Sequence, residues 1–143
     1  MPYCSLTDLE KLMPTTMIIS MSNDVGGATT VDMTNLTEAI DQADREIDAY
    51  LVIAGESVPM DPVPPLIANL SAKMARWNLC LRKLFSNASW ENEYLRCQKL
   101  LEKIAARKLS VGQIEEGVAV SGVGTISVSA RPQRFTDAIW RTY

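Results

Sequence analysis

Residues 32–51 read DMTNLTEAIDQADREIDAYL, and this stretch decides the fold class. Leu36, Ile40, Ala43, Ile47 and Tyr50 recur at alternating steps of four and three, the spacing of one apolar stripe along an α-helix. The remaining faces carry Glu38, Asp41, Asp44, Glu46 and Asp48. A helix patterned this way needs partners for its stripe, so neighbouring segments must supply helices of their own. Gly55 and Pro59 close it, and Pro59-Met60-Asp61-Pro62-Val63-Pro64-Pro65 makes a stiff turn.

Beyond that turn, Pro64-Pro65 opens a second long helix, since proline suits a first turn. Its main stripe is Ile67, Leu70, Met74, Trp77, Leu81 and Leu84, with Leu66, Leu79, Cys80 and Phe85 adding apolar surface on other sides. A helix apolar on more than one side is expected at the centre of a bundle. It holds Lys73, Arg76, Arg82 and Lys83 and no acid, so antiparallel pairing with the acidic helix before it brings opposite charges near one another. Ser89 is the expected cap of a third long helix reaching about Lys108, with the stripe Trp90, Tyr94, Cys97, Leu101 and Ile104. Lys99, Lys103, Arg107 and Lys108 crowd its last half, where they complement the helix dipole.

Before residue 32 the signals are weaker. Thr7-Asp8-Leu9-Glu10 has the form of a capping box opening a short helix with Leu9, Leu12 and Met13, which Pro14 ends. Residues 15–31 are rich in Ser, Thr and Asn and contain Gly26-Gly27, so they read as a long loop with a β-prone piece at Met17-Ile18-Ile19.

After Leu109 the character changes. Val118-Ala119-Val120-Ser121 and Ile126-Ser127-Val128-Ser129 flank Gly122-Val123-Gly124, a pattern open to a β-hairpin. Pro132 interrupts, and Phe135, Ile139 and Trp140 are spaced for a turn or two of amphipathic helix. The fold expected is therefore mainly α. It is a small helical bundle of one short and three long helices over residues 1–112, followed by an extended C-terminal arm over 113–143.

The chain has 143 residues and net charge −3, ordinary for one globular domain, with no global pull toward nucleic acid or anionic membrane. No apolar run approaches the roughly 20 residues of a membrane span, and Met1-Pro2-Tyr3-Cys4 has neither part of a signal peptide, so a cytosolic chain is expected. It has no histidine, which removes Ser-His-Asp and Cys-His catalysis and most transition-metal sites. Cys4, Cys80 and Cys97 are odd in number and widely spaced, pointing to neither a disulfide framework nor zinc. Gly26-Gly27 and Gly122-Val123-Gly124 lack the context of a phosphate loop. The expectation is a protein without catalysis, metal or cofactor.

Four stretches carry a resemblance to a known family. They are Met1-Pro2-Tyr3-Cys4-Ser5-Leu6-Thr7-Asp8-Leu9, Ile47-Asp48-Ala49-Tyr50-Leu51, Val58-Pro59-Met60 with Val63-Pro64-Pro65-Leu66-Ile67, and Tyr94 through Gly112. In order and spacing they resemble small tailed-phage proteins typified by Mu-like phages, related in fold to head–tail adaptors or head-completion proteins. The resemblance covers most of residues 1–112. It departs after the tyrosine-leucine, where the family usually places an Arg-Tyr pair and Val52-Ile53-Ala54-Gly55-Glu56-Ser57 stands here. It implies a dodecameric ring beneath the portal protein of the virion, in contact with neighbouring copies and with the next connector, stopper or tail-terminator protein. DNA would pass through such a ring without sequence-specific binding, and an acidic lumen face at Asp41, Asp44 and Asp48 would keep it from sticking.

The arm supplies the docking argument. Residues 118–143 hold Arg131, Arg134 and Arg141 against Asp137, net +2, leaving −5 for the rest. Arginine and aromatic side chains dominate binding hot spots. Val118, Val120, Ile126 and Val128 suit strand addition to a partner, Phe135, Ile139 and Trp140 suit pocket insertion, and Arg131, Arg134, Arg141 and Tyr143 are further docking residues of the hot-spot kind. The bland alternative is an arm folded back on its own bundle. A different class of function, a small regulatory or scaffolding helical module associated with DNA, would draw on the basic helix at 64–85. A recognition helix, however, exposes its basic face, and this one looks mostly buried.

Overall fold

The computed structural model describes residues 1–111. Five helices follow in order: α1 (Leu6–Leu12), α2 (Thr15–Ser22), α3 (Met33–Ala54), α4 (Pro65–Arg82) and α5 (Ala88–Ala105). The described residues are thus mainly helical, with no strand among them and the three long helices where the apolar periodicity places them.

The capping details differ from the sequence expectation. α1 is capped at Ser5, not Thr7: the Asp8 carboxylate accepts from the Ser5 amide at 2.9 Å and the Ser5 hydroxyl at 2.8 Å. Tyr3 and Cys4 are buried immediately upstream, which fixes the chain two residues earlier than the Thr7 pattern suggests. α5 is capped by Asn87, whose side chain accepts from Ser89 N at 3.1 Å and Trp90 N at 3.2 Å. It ends at Ala105, short of Lys108. At α3 the Asp32 carboxylate accepts from Thr34 N and Asn35 N, and Gly55 closes the helix at φ +86°, a backbone open to glycine.

The expected loop over 15–31 is largely wrong. Thr15–Ser22 is helical, and Pro14 both ends α1 and stands as the N-cap of α2. Ile18, Met21 and Ser22 are buried on one side. Their spacing of three and four is all the helical signal present. Thr, Ser and Ile argue weakly against helix, and tertiary burial outweighs that preference. Asn35 Nδ2 donates to Ser22 O at 2.8 Å, and Asp32 N to Ser22 Oγ at 3.0 Å, so the end of α2 is stitched to the start of α3. The connecting loop proper is only 23–32.

α4 packs against each of the other four helices, as its all-round apolarity predicts. Its buried line is Ile67, Leu70, Met74, Ala75, Leu79 and Cys80. Leu81 and Leu84, placed in the stripe from sequence, are 51% and 92% exposed. On a helix with apolar residues on several faces, periodicity does not single out the inward one. Leu9, Ile18, Leu36, Ile47, Leu51, Leu101 and Ile104 complete the core from the other helices.

Candidate functional site

Asp44, on the middle of α3, organises a buried polar cluster. Its Oδ2 accepts from the Tyr3 amide at 2.8 Å and its Oδ1 from the Ser71 hydroxyl of α4 at 2.5 Å. The Tyr3 hydroxyl donates to Asp48 one turn further along α3 and accepts from Met60 N at 3.2 Å. One tyrosine therefore ties the segment before α1 to α3 and to the proline turn. Burial pushes the Asp44 carboxyl above its ordinary range. Asp48 and Asp41 add to that, while the hydrogen bonds from Ser71 and Tyr3 oppose it. Burial also lifts the Tyr3 phenol to about 12, helped by Asp48.

This placement corrects one reading. Asp41, Asp44 and Asp48 do lie along one face of α3, but Tyr3 covers its centre. Asp44 is 9% exposed with both carboxylate oxygens taken, so it does not face a channel as a solvated acid. Asp41 and Asp48 remain partly exposed at its edges.

A second cluster joins α4 to α5. Arg76 is 4% exposed, pairs with Glu93, and lies 4.8 Å from the Trp90 ring centroid. Its Nε has no hydrogen-bond partner. Arg82 and Lys83 both pair with Asp24 in the loop before α3. Of the cations on and just after α4, Arg76 thus pairs with α5, and Arg82 and Lys83 pair with the 23–32 loop. No ion pair joins α3 to α4 among the described residues, despite their antiparallel packing. The contact face of α3 is apolar, and its acids lie on the flanks.

At the far end of α5 the backbone turns at Arg107, φ +55°, whose Nε donates to Ala54 O at 3.0 Å. A cleft of about 390 Å³ opens there, lined by Ala54, Gly55, Ile104, Leu109 and Val111 among others. Sequence reasoning missed Tyr3, Arg76 and Arg107 as organising residues. The first two give no periodic signal. Arg107 was read only as part of a dipole-complementing cluster.

Cys4, Cys80 and Cys97 are buried and free. Burial raises all three thiols, Cys4 to about 11, so none is an activated thiolate at neutral pH. Among the described residues no three metal-ligating side chains converge, and no helix is long and apolar enough to cross a membrane. The expected docking residues Val118, Val120, Ile126, Val128, Arg131, Arg134, Phe135, Ile139, Trp140, Arg141 and Tyr143 lie outside the described residues.

No curated protein matches the chain. A family profile described as "Bacteriophage Mu, Gp36" does, over residues 3–129. The matched region takes in Tyr3, all five helices and the first apolar runs of the arm, so the shared sequence extends past the 1–112 bundle that the resemblance covered. With nearly the whole chain matched, the protein belongs to the bacteriophage Mu Gp36 family.

Proposed function

We propose that this phage protein is a structural component of the virion, a head–tail adaptor. In this reading, copies form a ring docked on the portal protein, and the ring extends the DNA channel toward the tail. Its far side receives the next connector, stopper or tail-terminator protein. DNA passes without sequence readout, and the protein works without catalysis or cofactor.

Membership of a phage family supports the setting. The observation that carries the adaptor reading is the fixed exit of the chain from the bundle. Arg107 is bonded to the end of α3, and Val111 is 6% exposed, so the chain leaves α5 from an anchored point. A docking arm needs such an anchor, because each residue ordered in advance lowers the entropy lost on binding. The residues that follow, 118–143, hold the arginines and aromatics suited to a partner surface. The lumen-facing acid face is not part of this proposal, since its central residue Asp44 is enclosed.

Removing residues 118–143 tests it. The shortened protein should keep its helical circular dichroism and lose binding to the portal ring in pull-down and electron microscopy. Binding at undiminished affinity would refute the docking role of the arm.

A further inference from the structure

We draw no further inference here: the strongest candidate, the apolar surface patch at the turn after α4, where Leu84 is 92% exposed at φ +53° beside Leu81 and Phe85, carries nothing because nothing in the structure shows what covers it.

Discussion

Replacing Asp44 with alanine removes the acceptor shared by two buried donors, the Tyr3 amide at 2.8 Å and the Ser71 hydroxyl at 2.5 Å. Tyr3 is 4% exposed and Ser71 is fully buried, so solvent does not replace the carboxylate. A buried donor left without an acceptor costs about 1–3 kcal/mol. The Ser71 hydroxyl can rotate, which moderates its share, and the total expected for Asp44→Ala is about 2–4 kcal/mol. In a bundle of this size that lowers Tm by roughly 8–16 °C. Asp44→Asn is the discriminating partner. Its amide oxygen can accept from Tyr3 while its NH₂ donates to Ser71 Oγ, so it should lose no more than about 1 kcal/mol at neutral pH.

The same pair of proteins carries a pH signature. The folded Asp44 carboxyl titrates above its unfolded counterpart, chiefly through burial. Between the two values the folded state binds more protons than the unfolded state, so this group's contribution to stability falls as pH rises through that window. Asparagine has no such dependence. Wild type should therefore compare best with Asp44→Asn in acid and lose ground as pH climbs through the raised carboxyl range. Urea unfolding with unchanged m-value, repeated over pH, measures both effects. A solvated acid would give an alanine variant within about 0.5 kcal/mol of wild type and parallel pH curves for the asparagine variant. Either result would refute the enclosed cluster.

Tyr3→Phe keeps the ring buried but loses the bonds to Asp48 and Met60 N, and should cost about 1–2 kcal/mol, with faster amide exchange at Met60. Arg76→Lys loses the planar contact with Trp90 and weakens the pair with Glu93, for a loss of about 1–3 kcal/mol; a double-mutant cycle with Glu93→Gln should show the two residues coupled. Gly55→Ala meets both a left-handed backbone and the Arg107 guanidinium, 2.8 Å from the new Cβ. It should cost about 1–2 kcal/mol and increase protease cleavage near Arg107.

How legible the fold was depends on which helix is considered. α3 has one apolar stripe and acids elsewhere, so its stripe and its first residue were readable, and Gly55 marked its end. α4 was readable as central, but its inward face was not: apolar residues on several sides leave two competing stripes, and the structure chose Leu79 and Cys80 over Leu81 and Leu84. α2 was missed because its residues are poor helix formers held by burial of Ile18, Met21 and Ser22, and burial is a property of the neighbours. The shift of the first cap from Thr7 to Ser5 has a similar origin, because Tyr3 just before it is held by Asp44, Asp48 and Met60, contacts distant in sequence.

Charge on a helix wheel shows the limit most sharply. Asp41, Asp44 and Asp48 share a face by spacing alone, and spacing gave no reason to treat them differently. Tyr3, 41 residues before Asp44, separates them: it bonds to that face, encloses the middle acid and leaves Asp41 and Asp48 at the edges. The cations of α5 are the converse case. They read as complements to the helix dipole, which accounts for a basic last turn but not for Arg96 and Lys99 well upstream. Exposed Glu102 stands three residues beyond Lys99 on the same helix, so spacing alone marks neither a basic face nor what would meet it.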